Sequence, residues 1–377
     1  MELKKTALYQ KHLNLRAKIV DFHGWALPLE YKSMLEEAKA VRQSCGIFDA
    51  SHMGEIIISG DKACEFLQSM VTNDISSLGS NQMQYNLFLD DSGHIIDDCM
   101  VYHKGDSFLC VVNASNIDKV LTWLNKQNCQ GVSIKDASQD FCLITIQGPE
   151  SAKVIDKIFP GLSKDLTYMT FKGLDFKGQE VLISRSGYTA EDGFEIYLRP
   201  QSASELWDTI LEIGSEFNLT ACGLGARDIL RIEAGYPLYG YEIDDKMDPL
   251  TAGLSWAVKF NKEFMGKSAL LKLKEAKIKN KRVGFLMLKR AVARYGYKIY
   301  YQDKPIGSVT SGTFSPNKQA FIGMASILKE AAVLDREIEI EIRNNKYKAK
   351  IVKFPFINPK VKTKKILKEV SNGESKV

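Results

Sequence analysis

Apolar residues return at intervals of three and four in several stretches of the chain, the spacing that places them on one side of an α-helix. Ala63, Phe66, Leu67, Met70 and Val71 make one such stripe, with Asp61 as its N-cap. Ile117, Val120, Leu121 and Leu124 make another after Asn116, and Leu206, Trp207, Ile210 and Leu211 a third. Gly225 to Gly235 has the pattern of a helix closed by a glycine. Short runs rich in β-branched and aromatic residues predict strands at Glu55–Ser59, Tyr85–Leu89, Phe108–Val112, Phe141–Ile146, Val181–Ser184 and Phe194–Leu198. Helices and strands do not alternate regularly, which favours an α+β fold of mixed layers over a doubly wound parallel sheet. From Arg282 to Phe356 the pattern changes to strands separated by turn residues, such as Ser311-Gly312, Ser315-Pro316-Asn317 and Arg343-Asn344-Asn345. That stretch predicts a separate β-barrel or sandwich, with the lysine-rich Lys272–Lys281 as a linker before it.

Composition adds little to this picture. The 377 residues are 45% hydrophobic and 26% charged, ordinary for a globular chain of two or three domains. The net charge is +5, and the segment from Lys360 to Val377 supplies four of those charges through six lysines and two glutamates. Its basic cluster (Lys362, Lys364, Lys365, Lys368) reads as a solvated end or as a contact for an acidic partner. Neither a nucleic-acid-binding face nor a run of about 18 apolar residues is present, so no nucleic acid and no membrane is expected as a partner. The N-terminus lacks the apolar core of a secretory signal, which suggests a cytoplasmic protein or a mature organellar one. The seven cysteines include no C-x-x-C pair and read as buried free thiols of a reducing compartment.

Several chemistries drop out. There is no phosphate-binding P-loop, and Gly223-Leu224-Gly225 is followed by Asp228 where a dinucleotide site needs its third glycine. The five histidines lack metal-site spacing, and no G-x-S-x-G elbow occurs. Metal, nicotinamide and serine-nucleophile chemistry are therefore not expected.

More specific is an ordered set of segments. Asp21-Phe22-His23-Gly24-Trp25 leads to Leu27-Pro28-Leu29-Glu30-Tyr31, a crowded stretch that alone would be a structured loop on a core. Then come Gly46-Ile47-Phe48-Asp49, Ser51-His52-Met53-Gly54-Glu55, Val71-Thr72-Asn73-Asp74-Ile75 and Gly93-His94-Ile95-Ile96-Asp97-Asp98. Val111-Val112-Asn113-Ala114, Ser186-Gly187-Tyr188-Thr189-Ala190-Glu191-Asp192-Gly193-Phe194-Glu195 and Gly223-Leu224-Gly225-Ala226-Arg227-Asp228 follow. Leu238-Tyr239-Gly240, Ala252-Gly253-Leu254-Ser255-Trp256, Val309-Thr310-Ser311-Gly312 and Pro355-Phe356 complete the series. In this order the segments resemble the aminomethyltransferases (T-proteins) of the glycine cleavage system, over about residues 6 to 356.

The resemblance implies a three-domain cloverleaf: a discontinuous first domain (1–50 plus 139–245), a second α+β domain (51–138 plus 246–275), a jelly-roll-like C-terminal barrel (280–358) and a basic tail (359–377). It also implies a central channel for tetrahydrofolate, with no metal, flavin or nicotinamide. The implied reaction takes an aminomethyl group from the lipoyl arm of the H-protein, releases ammonia and forms 5,10-methylenetetrahydrofolate. Two other activities of similar folds compete: a folate-dependent demethylase of a small methylated amine or sulfonium compound, and a non-catalytic folate-binding protein.

Such a reaction develops positive charge, which a fixed carboxylate in a water-poor channel stabilises. Side chains alternate along a strand, so only one of Asp97 and Asp98 can face the channel. The resemblance assigns that catalytic role to Asp98, leaving Asp97 to face away or to orient its neighbour. It places Glu195 against the two parallel donors of the pterin edge. Arg227 is implied beside the ligand, or is tied up in an ion pair with Asp228, Glu233 or another acid. Tyr85, Tyr102, Tyr188 and Trp256 are implied as aromatic walls, Met53 and Asn113 as further cofactor contacts, and Arg294 at the channel mouth near the folate tail or the lipoyl arm. Three departures from the family pattern stand out. Ala190 replaces a glycine, which matters if that backbone needs positive φ. His94 also replaces a glycine and either shares a strand face with Asp98 or sits at the surface. Finally, the segment after Phe356 lacks a tyrosine that some relatives place near the ligand.

Overall fold

A computed structural model of the chain describes residues 2–128, 131–276 and 278–361. Three sheets and a two-stranded hairpin carry it. The first sheet has six strands in the order Phe171–Phe176, Gln179–Ser184, Gly193–Leu198, Cys142–Gln147, Cys45–Asp49 and Leu219–Ala221. Its pairs are antiparallel except the last, which is parallel. Helix Pro200–Gly214 covers it with the predicted stripe: Leu206, Trp207 and Ile210 are buried against Ile144, Ile146 and Ile196. Full burial of each such side chain stabilises the fold by about 1.5–3 kcal/mol.

The second sheet runs Met83–Leu89, Ile95–His103, Ser107–Val112, Gly54–Ser59 and Ser133–Asp136. Alternation along Ser107–Val112 divides its faces. Phe108 and Cys110 meet helices Ala63–Met70 and Ile117–Gln127, whereas Leu109 and Val111 meet Leu143, Leu182 and Tyr197 of the first sheet. The two sheets therefore pack face to face. The N-cap position of helix Ala63–Met70 is Lys62 and makes no side-chain cap, so Asp61 does not cap it.

Residues Asn280–Val352 form a closed, antiparallel barrel of six strands, which decides between barrel and sandwich. The expected linker is mostly structured: Lys267–Glu275 is helical and the first barrel strand begins at Asn280. The crowded segment near residue 25 is a β-hairpin, Lys18–Phe22 with Trp25–Glu30, turning at His23 and Gly24, both at positive φ. Alternating burial was obscured there because the hairpin's inner residues line a cavity.

Helix Leu224–Glu233 joins the first sheet to the barrel. It ends in a Schellman motif: Tyr236 N–H donates to Arg231 O at 2.9 Å and Gly235 N–H to Ile232 O at 2.9 Å, with Gly235 at φ +69°. A Cβ on Gly235 would also lie 2.7 Å from the Phe354 ring. Arg231 donates to Ser311 Oγ of the barrel at 2.7 Å and to Glu242 at 2.6 Å.

Ala190 stands at φ +61° with its methyl buried. A left-handed L-residue costs about 1–2 kcal/mol. Glycine would relieve this but lose a buried methyl (about 0.8 kcal/mol) and gain unfolded-state entropy (about 0.4–1 kcal/mol). These effects nearly cancel, so Ala190→Gly is expected to change stability by less than about 1 kcal/mol in urea unfolding. A larger gain would show that the strain is not compensated.

Of the described cysteines Cys64 is exposed, against expectation, and the other five are buried and unpaired. Cys129 and the basic cluster Lys362, Lys364, Lys365 and Lys368 lie outside the described residues. Among those described, no helix is long and apolar enough to cross a membrane.

Candidate active site

A cavity of about 570 Å³ lies where the sheets, the hairpin and the barrel meet, a size typical of small-molecule sites. Asp98 reaches it from strand Ile95–His103, which contains both aspartates. Asp98 accepts Tyr85 OH at 3.0 Å and Asn113 Nδ2 at 2.7 Å. Burial pushes its carboxyl above the ordinary range, opposed by those two hydrogen bonds. Asp97 faces the helix side of the strand and is sealed, bonded to Asn113 and to Asn116 at the start of helix Ile117–Gln127. Burial first, then the neighbouring Asp98 charge, pushes Asp97 up to about 8. Two adjacent carboxyls, one sealed and one at the cavity wall, resist carrying two full charges.

His94 does not share the face of Asp98. It precedes the strand, a register shift follows it opposite Phe88 and Leu89, and its ring is exposed, 3.8 Å from Asp90. The surface reading holds.

Glu195 enters from strand Gly193–Leu198 and accepts Ser186 Oγ–H at 2.5 Å. Burial raises its pKa, opposed by that bond and by the Arg227 charge. Arg227, near the start of its helix, makes no side-chain hydrogen bond or ion pair among the described residues; its guanidinium lies over the Tyr188 ring at 5.0 Å. The ion-pair alternative fails because Asp228 pairs with Arg231 and Glu233 with Arg42. Tyr188 donates to Pro237 O and stacks on Tyr236, with centroids 5.7 Å apart. Tyr85 stacks on the exposed Trp256 at 5.2 Å. Met53, Asn113 and the exposed Arg294 also line the cavity.

Tyr102 does not line it. It shares a strand face with Asp98, but four residues on the first sheet closes over that face. There the hydroxyl of Tyr102 is buried at 2.9 Å from Tyr197 OH and 3.3 Å from Ser184 Oγ. Ser184 continues to Ser186 Oγ at 2.7 Å, so Tyr102 ends a hydroxyl chain that supports Glu195 from behind.

Sequence reasoning missed several wall residues, including His52, Tyr236 and Tyr239. Burial, then the Arg227 charge, pushes His52 down to about 3, so its imidazole is neutral. His52 stands beside Met53 in the segment Ser51–Glu55, but nothing local shows which way its ring points. Ala190, in the loop that carries Tyr188, receives Lys360 N–H on its carbonyl at 2.8 Å. The segment after Phe356 thus reaches this loop without a tyrosine.

Comparison with known proteins identifies the family to which this fold belongs. Residues 8–262 match the family model described as GCVT N-terminal domain, and residues 280–358 the glycine cleavage T-protein C-terminal barrel domain. Curated aminomethyltransferases are similar over nearly their whole length. That of Halothermothrix orenii is 45% identical, covering 94% of this chain and 100% of the relative. That of Bacillus licheniformis is 42% identical, covering 94% and 98%. The crystal structure of glycine cleavage system aminomethyltransferase T from Bartonella henselae superposes with a TM-score of 0.90 at 32% identity, covering 96% of this chain and 100% of that one. With its fold and nearly its full length matched, the chain belongs to the aminomethyltransferase (T-protein) family of the glycine cleavage system.

Proposed function

We propose that this aminomethyltransferase moves the aminomethyl carbon from the lipoyl arm of the H-protein to tetrahydrofolate, releasing ammonia and forming 5,10-methylenetetrahydrofolate. The carrying observation is the half-buried Asp98 carboxyl at the cavity wall, held by Tyr85 and Asn113. The residues present fit a reduced pterin. Tyr85, Tyr188 and Tyr236 offer flat surfaces, and Glu195 offers a half-buried carboxylate suited to two parallel N–H donors. When bound, tetrahydrofolate supplies the amine that accepts the carbon. Asp98 provides fixed negative charge where positive charge develops, and the enclosing side chains keep water from weakening that attraction. Arg227, without a hydrogen-bond or ion-pair partner among the described residues, is left to meet an acceptor atom of the ligand. Met53 and Asn113 are proposed contacts of the same ligand, and Trp256 and Arg294 stand at the mouth where a lipoyl arm or folate tail would pass. The sheets serve as the cores of three domains: 1–50 plus 139–245, 51–138 plus 246–275, and 280–358. The relatives named are bacterial, and the proposed setting is the cytoplasm.

The deciding experiment mixes purified protein, loaded H-protein and tetrahydrofolate, and measures ammonia and methylenetetrahydrofolate. Absence of ammonia, with turnover of a small methylated amine or sulfonium compound instead, would reject this reading. A second variant tests the pterin contact. Hydrogen bonds to a charged group are worth about 1.5–3 kcal/mol. Glu195→Ala is therefore expected to weaken tetrahydrofolate binding by roughly 10- to 150-fold in a fluorescence titration, and unchanged affinity removes Glu195 from the pterin site.

A further inference from the structure

The side chain of Asp97 is sealed on the helix side of its strand, yet it holds three donors. Asn113 N–H reaches its Oδ2 at 3.0 Å, while Asn113 Nδ2 at 2.8 Å and Asn116 Nδ2 at 2.6 Å reach its Oδ1. A primary amide nitrogen has two hydrogens, and its oxygen is an acceptor only. The second hydrogen of Asn113 Nδ2 goes to Asp98 Oδ1 at 2.7 Å. One amide therefore bridges two consecutive carboxyls, and with both its hydrogens committed it cannot flip. Asn113 also lines the cavity, and its Oδ1 receives no hydrogen bond among the described residues. Asn113 thus brings to the cavity wall, beside the Asp98 carboxylate, an acceptor oxygen that no donor among the described residues engages. Such a pair suits a group rich in N–H and poor in lone pairs. A carried aminomethyl group in its ammonium form has three N–H bonds.

We infer that Asp97 is a positioning residue of the transfer. It acts through Asn113, fixing the amide so that Asn113 Oδ1 and Asp98 together receive the nitrogen that departs as ammonia. This rests on the function proposed above. The step balances without a further reactant: the C–N bond breaks, its electron pair stays on nitrogen, and ammonia leaves with its three hydrogens. The positive charge passes to the carbon, beside the same Asp98 carboxylate. Losing Asp97 would free the amide to rotate and turn a donor toward the departing nitrogen.

The test is a double-mutant cycle on the full chain with loaded H-protein, reading kcat and KM, and tetrahydrofolate binding by titration. Asp97→Asn puts an amide nitrogen where an acceptor stood and is expected to lower kcat about tenfold with tetrahydrofolate affinity unchanged. Asn113→Ala is expected to lower kcat further, and the double variant to fall no lower than Asn113→Ala alone, because both changes act through one amide. Losses that multiply in the double variant, or a Asp97→Asn loss confined to KM, overturn the inference. Should Asp97→Asn fail to fold, Asp97→Ser, which withdraws the acceptor from Asn113 Nδ2 without burying a new amide, carries the same cycle. Absence of tetrahydrofolate binding by the wild-type protein is a separate outcome, and it sinks the proposed function itself.

Discussion

Asp98→Asn is expected to lower turnover by roughly 10²–10³-fold while leaving tetrahydrofolate affinity within about threefold. The substitution keeps shape and removes charge. Tyr85 OH and Asn113 Nδ2 both donate to the carboxylate in the wild type. An asparagine retains one acceptor oxygen, and Tyr85 OH can turn to accept from its nitrogen, so the local fold survives. What is lost is the fixed negative charge in an enclosed site, where such charge is worth most. Steady-state assay with loaded H-protein checks this, and activity within tenfold of wild type would remove Asp98 from the chemistry. The same variant carries a stability prediction of definite sign. Burial raises the Asp98 pKa above its ordinary 3.8, so the folded protein binds this proton more tightly than the unfolded chain. Its ionisation therefore lowers stability as pH rises from about 3.8 through the folded value. Asp98→Asn is expected to be more stable than wild type at neutral pH, with the advantage vanishing below about pH 3.8. A variant less stable at neutral pH would show that the hydrogen bonds outweigh burial.

Glu233→Ala is expected to cost about 3–5 kcal/mol of stability, the loss typical of a buried charge stripped of its partner. Glu233 is fully buried and holds three donors: Arg42 Nε at 2.9 Å, Ser315 Oγ at 2.5 Å, and Asn317 Nδ2, shared between its two oxygens at 3.0 and 3.1 Å. Arg42 belongs to helix Met34–Gln43, and Ser315 and Asn317 to the barrel, so one carboxylate fastens the barrel to the rest of the chain. Arg42 keeps Glu191 at 3.2 Å and the carbonyls of Thr189 and Leu230, but its Nε would be stranded. Barrel undocking should appear first, as rapid hydrogen exchange in Lys304–Ser315 and a lower urea midpoint. A loss below about 1 kcal/mol would mean that the junction is held by apolar packing around Ile232, Ile322 and Phe356 instead.

Neither Arg42 nor Glu233 carries a local signal of this role, because their meeting is set by where two elements 191 residues apart dock. The same holds across the cavity. Strand alternation correctly separates Asp97 from Asp98, since that choice is made by the pleat of one strand. It also puts Tyr102 on the side of Asp98, as the structure does. Alternation knows only the side of the strand, however, and four residues further along the first sheet has already closed over it.

The elements with clear periodicity were legible from the chain alone. The helices at Ala63–Met70, Ile117–Gln127, Pro200–Gly214 and Leu224–Glu233, and the run of strands after Arg282, follow from contacts repeated every few residues. The family was legible too, because its motifs are linear. The hairpin at Lys18–Glu30 was not, since its apolar side faces a cavity built by other parts of the molecule. Tertiary packing alone decided that Arg227 stays unpaired among the described residues, that His94 lies outside, and that one asparagine ties Asp97 to Asp98. A sequence fixes which groups a chain carries and the side of an element each occupies, through forces acting over a few residues. Whether a charge is then left free, sealed or bridged depends on elements that are distant in the chain and adjacent only once it has folded.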